Sequence, residues 1–193
     1  MPSIPSIDRA RAALLVMDYQ VDIVARARAD ALLPRTASLL AAARAASLPV
    51  VHVVVGFRPG YPEVSPRNLA FSDAKRTGRL SAGSPGVEIH GAIAPRPHEP
   101  IVMKHRVGAF AGTDLELILR ARDVDTLILA GISTSGVVLS TVRHAADGDY
   151  RLVVVEDCCA DPDAEVHRCL VERVFPKQAT VAKAEDVIRA LAS

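Results

Sequence analysis

The sequence is short of charge asymmetry, of cysteine and of long apolar runs. Its 23 basic residues nearly balance its 22 acidic ones, leaving a formal charge of +1, with no run of like charges along the chain. Nucleic acid and anionic membrane surfaces therefore find no electrostatic handle, and neither is expected as a partner. The longest charge-free run, Thr126 to Val142, is interrupted by glycine and hydroxyl residues. It reads as a strand running into a buried helix, not as a membrane span. The opening residues, from Met1 to Asp8, lack the basic start and apolar stretch of a secretory leader, so a cytoplasmic location is expected. Cysteine is confined to Cys158, Cys159 and Cys169, odd in number, two of them adjacent and none at metal spacing. They read as thiols in a reducing compartment.

What the chain does have is 193 residues, half of them apolar, enough for a sizeable core and expected to form one domain over 1–193. Short apolar runs alternate with helical segments, the pattern of an α/β fold whose parallel sheet is covered on both faces. Strands are expected at Ala12–Met17, Val50–Val55, Ile101–Lys104, Leu127–Ile132, Leu152–Val155 and near Thr180. Helices are expected at Arg35–Ala46, Thr113–Arg122, Ser135–Ala146, Ala164–Val174 and Ala184–Leu191. Thr113 and Glu116 have the spacing of a capping box, and Ser135 that of an N-cap. Residues 56–86, rich in proline and glycine, read as one long irregular loop leaving the end of the second strand.

Chemistry-bearing residues gather at strand ends. Asp18 follows the first strand, Lys104 closes the third, and Gly131-Ile132-Ser133-Thr134-Ser135-Gly136 forms a strand-to-helix turn after the fourth. Parallel strands with right-handed crossovers bring such ends to one rim, where an open α/β sheet binds its ligand. A carboxylate, an ammonium and a helix start together make a candidate reaction centre. In the long loop, Arg58 and Arg67 with Phe57 and Tyr61 are candidates for a lid over an acidic or aromatic substrate. His52 and His105 read as satisfied strand histidines.

In order along the chain, these segments resemble the isochorismatase-like hydrolases, from Ala12 to about Asp186. Asp18 and Gln20 match an Asp-x-Gln after strand one. Lys104, Arg106, Phe110, Gly112 and Thr113 match Lys-x-Arg-x-x-x-Phe-x-Gly-Thr, where the lysine is catalytic and the aromatic lines the pocket. Gly131, Thr134, Val138, Thr141, Ala145 and Asp157 match the segment around the family's nucleophile. The resemblance implies a three-layer sandwich with a six-stranded parallel sheet in the order 3-2-1-4-5-6, and a cis peptide joining Ser133 to Thr134. It implies a small-molecule substrate held by Gln20, Arg106, Phe110, Ser133, Thr134 and Ser135 together with the loop residues, and a homodimer or homotetramer.

Two departures from the family pattern bear on chemistry. The cysteine nucleophile of many members stands six residues after the turn's glycine, and that position here is Val137, which cannot attack a carbonyl. Isochorismatases proper use the strand-one aspartate as an acid with no covalent intermediate, so Asp18 and Lys104 are the expected catalytic pair. An inactive, ligand-binding member is the alternative. The metal-binding Asp-x-His and second His of nicotinamidase-type relatives are missing, because the corresponding stretch is Gly56-Phe57-Arg58-Pro59-Gly60-Tyr61-Pro62-Glu63. No metal and no cofactor are therefore expected.

Overall fold

The computed structural model describes residues 7–192. Met1–Ser6, most of the stretch read above for a leader, lie outside the described residues. The chain runs β1 (Ala12–Met17), α1 (Val21–Ala27), α2 (Leu33–Ala45), β2 (Val50–Val55), α3 (Leu69–Thr77), β3 (Ile101–Lys104), α4 (Leu115–Arg120) and β4 (Thr126–Ile132). It continues through a π-helical turn (Thr134–Val138), α5 (Leu139–Asp147), β5 (Arg151–Ala160), α6 (Ala164–Cys169), a second π turn (Leu170–Val174), β6 (Thr180–Ala182) and α7 (Ala184–Ala192). All six strands are parallel and form one sheet in the order β3-β2-β1-β4-β5-β6.

β1, β2 and β4 are buried at every position, which is why their sequences are apolar on both faces, His52 and Thr126 excepted. β1 sits at the centre, with Leu15 opposite Val51 on one side and Leu129 on the other. Its side chains alternate between two cores. Leu14 and Val16 pack with Leu39 and Leu40 of α2 and Val187 of α7, while Ala13, Leu15 and Met17 pack with Leu119 of α4 and Val142 of α5. Burying one such leucine contributes about 1.5–3 kcal/mol. Gly131 is required in β4, because a Cβ there would lie 3.0 Å from Val138 Cγ2 and 3.2 Å from the Met17 carbonyl oxygen.

Several local expectations are corrected. The 56–86 stretch is no structureless loop: it contains α3, which Asn68 caps by accepting the Phe71 N–H and which Gly78 ends at a φ of 74°. A third apolar cluster of Phe57, Tyr61, Val64, Phe71 and Leu80 packs it down. The Thr113 capping box does not form. The Thr113 hydroxyl donates back to the Ala109 carbonyl at 2.7 Å, and Glu116 pairs with Arg120 at 2.6 Å on the same helix face. β5 extends past Val155 to Ala160, so Cys158 and Cys159 lie within the strand, while Cys169 is exposed. α1 was not expected at all.

Candidate active site

β1 and β4 are the neighbours at which the strand order reverses, and a cleft of about 250 Å³ opens beyond the carboxyl ends of β1 to β4. Asp18 and Lys104 line it, as do Val55, Ile132, Ser133, Gly136 and Val137. The chain leaves β1 at Asp18 with a φ of 59°, the left-handed region that a short polar side chain tolerates better than most. Lys104 reaches across from the end of β3, and its Nζ lies 2.9 Å from Asp18 Oδ2 and donates to the Arg106 carbonyl at 3.1 Å.

Both charged groups are almost wholly removed from solvent, with side-chain exposures of 7% for Asp18 and 2% for Lys104. Asp18 Oδ1 is buried with no hydrogen-bond partner. An orphaned carboxylate oxygen in a cleft is costly in the empty protein and ready to accept or deliver a proton to a ligand. Burial raises the Asp18 carboxyl above its ordinary value, and the Lys104 ammonium, pulling the other way, does not cancel it.

The turn after β4 is held from outside the cleft. Thr134 Oγ1 and His167 Nδ1 share a hydrogen bond of 2.8 Å, and the Ser135 N–H donates to Asp161 at 2.7 Å. Ser135 is thus not an N-cap: its backbone is capped by Asp161, and its side chain is on an exposed residue. The cis peptide joins Ile132 to Ser133, one bond earlier than expected, since the helical turn already begins at Thr134 behind an extended Ser133. Gly136 is a tight approach, where a Cβ would sit 2.6 Å from Ser133 Oγ.

Of the residues expected to touch substrate, Ser133 lines the cleft, and the others are used differently. Gln20 is a strap. Its amide donates to the Val55 and Val87 carbonyls and accepts the Val55 N–H, fixing α1 against the end of β2. Phe57 is completely buried, in contact with Tyr61, Phe71 and His105, and Tyr61 donates to the Arg79 carbonyl. Arg58 pairs with Glu63 at 3.0 Å, and Arg106 donates to the Glu63 and His105 carbonyls. Phe110 stacks on His144 at 4.5 Å, buried in the core beside α5. Thr134 is fully buried behind the turn. The aromatic lid expected from the loop is therefore core, because its rings find one another before they find a ligand.

The lining residues not foreseen in the sequence include Asp22 and Arg26 on α1, and Phe71 and Arg79 on and after α3. Asn68 and Gly78, correctly spaced for a helix cap and stop, were the available signal for α3. His52 is a satisfied strand histidine on one side only: Nε2 lies 3.2 Å from Glu99 and Nδ1 is unpartnered. Among the described residues no group of His, Cys, Asp or Glu converges as a metal site requires, and no helix is long and apolar enough to cross a membrane.

Residues 12–186 match the isochorismatase domain model. The chain is 36% identical over 184 residues to the uncharacterized isochorismatase family protein YecD of Escherichia coli O157:H7, covering 93% of this chain and 95% of that one. It is 29% identical over 157 residues to maleamate amidohydrolase of Pseudomonas putida, covering 81% and 73%. In structure it is similar to an isochorismatase family protein from Burkholderia thailandensis, with a TM-score of 0.85 and 30% identity over 99% of this chain and all of that one. With its sheet order, its cleft at the β1/β4 reversal and these matches, the chain belongs to the isochorismatase family of hydrolases.

Proposed function

We propose that this protein hydrolyses a small, carboxylated metabolite by attack of water, with Asp18 and Lys104 carrying the chemistry and no covalent cysteine intermediate. The observation that carries the reading is the buried Asp18–Lys104 pair, whose free carboxylate oxygen lies in a cleft lined by no cysteine among the described residues. By the family resemblance, Val137 occupies the nucleophile position. Its valine side chain is 2% exposed and packs with Val138 and Met17. The three thiols are elsewhere. Burial pushes the Cys158 thiol up to about 12 and the Cys159 thiol higher still, and Cys169 is an exposed residue of α6.

In this scheme Asp18 begins protonated, a state that its burial favours. With a vinyl ether, the proton passes from Asp18 to the enol-ether carbon, and water adds to the resulting oxocarbenium carbon. The hemiketal then collapses to an alcohol and a ketone, and the proton lost by water restores Asp18. Lys104 orients the carboxyl and balances its charge once the proton has left. The similarity to maleamate amidohydrolase supports a small carboxylated substrate, with an amide as the second bond class to assay.

A second reading, a ligand-binding member without turnover, is favoured by the apolar Val137 side chain in the cleft. Hydrolysis assays of vinyl ethers and amides with the wild type and Asp18→Asn separate the two. Turnover that depends on Asp18 supports the first reading, and its absence across the panel supports the second.

A further inference from the structure

α1 turns one face to the cleft: Asp22, Ile23, Arg26 and Ala27 line it, the three- and four-residue spacing of a single helix side. Among the described residues three cations line the cleft, and two are already matched. Lys104 is held by Asp18 at 2.9 Å, and Arg79 by Asp73 at 2.8 Å. The Arg26 guanidinium has neither an ion pair nor a hydrogen bond among the described residues. Asp22, one turn earlier on the same face, does not reach it within ion-pair distance. Its carboxylate is pressed against the backbone of Gly86, where an added Cβ would fall 2.0 Å from Oδ2.

We propose that Arg26 is the specificity-determining residue of this cleft, taking the carboxylate of the ligand on its guanidinium fork. The proposal rests on the reading above for the identity of the site and adds what selects the substrate. A guanidinium matches two carboxylate oxygens at once, and a free one gains from such a partner what a paired one already has. Its placement is also defined. α1 begins three residues after Asp18, and the Gln20 strap fixes its start to β2, so anchor and reacting carboxyl are held by one short, braced segment. Phe71, Leu80 and Val137 supply apolar wall in the same cleft for the body of the ligand. A volume of about 250 Å³, roughly that of eight waters, suits a compact acid. Arg58 and Arg67 do not line the cleft and have no part in this recognition.

The test is binding of benzoate and of its neutral isostere benzamide, followed by NMR titration of wild type, Arg26→Gln, Arg26→Lys and Arg79→Gln. Wild type should bind benzoate at least about tenfold more tightly than benzamide, the scale of one charge-assisted contact. Arg26→Gln should erase that preference with little change for benzamide, Arg26→Lys should keep part of it, and Arg79→Gln should keep most of it. A preference that survives Arg26→Gln, or wild type that does not distinguish the two ligands, overturns the proposal. Binding needs no turnover, so a protein that fails the hydrolysis assays and yet shows this selectivity would sink the catalytic reading alone. Arg26 is an exposed residue, and an unchanged thermal midpoint in Arg26→Gln separates lost recognition from lost folding.

Discussion

Replacing Glu99 with glutamine perturbs the most heavily bonded carboxylate outside the cleft. Its side chain is 3% exposed, receives Arg44 through two bonds of 2.7 Å, accepts the Arg96 N–H at 2.8 Å and lies 3.2 Å from His52 Nε2. Burial alone would raise the carboxyl, but the Arg44 guanidinium and the other donors outweigh it and hold it at about 2, against an ordinary 4.5. That gap corresponds to about 3 kcal/mol of folding free energy at pH 7. Because the folded value is depressed, the contribution is complete above the unfolded value and is lost as pH falls through the folded one. By pH 3 about 2 kcal/mol of it is lost, leaving a little over 1. Urea unfolding of wild type and Glu99→Gln at pH 7 and pH 3 checks this. The difference between the two proteins should shrink by about 2 kcal/mol on acidification. A difference that is the same at both pH values, or below about 1 kcal/mol at pH 7, would refute the linkage.

Two further outcomes concern the cleft. Lys104→Met removes the ammonium that opposes burial at Asp18, so the carboxyl rises further and the alkaline limb of the pH–rate profile moves up. The maximal rate falls as well, and a limb that stays in place would show that Asp18 is not the titrating acid. Val137→Cys does not increase turnover in steady-state assays. A large gain in amide hydrolysis would instead mark the chain as a cysteine hydrolase that has lost its nucleophile.

The sheet was legible because burial on both faces writes itself as apolar runs, uninterrupted at Ala12–Met17 and broken only by His52 at Val50–Val55. Asp18 and Lys104 were legible for a topological reason: a polar residue at the end of such a run lands on the ligand-binding rim. The cleft wall was not. α1 has seven residues, no side-chain cap and charges scattered through Val21–Ala27, so no periodic stripe announced that Asp22 and Arg26 share a face. Phe57, Tyr61 and Phe110 read as pocket residues in the sequence because aromatics suit both pockets and cores. Three-dimensional neighbours decide between these, and Phe71 and His144 lie 14 and 34 residues away in sequence. Arg58, a substrate candidate by sequence, is taken by Glu63 five residues on.

In the proposed reaction Asp18 delivers the proton for a hydrolysis carried out by water. Its most direct test is the rate of hydrolysis by wild type and Asp18→Asn from pH 5 to 9, with circular dichroism to confirm that the variant is folded. A folded Asp18→Asn should lose at least about a hundredfold in kcat, and the alkaline limb with it. A folded variant that hydrolyses the substrate within about threefold of the wild-type rate, with an unchanged pH profile, would contradict this role of Asp18.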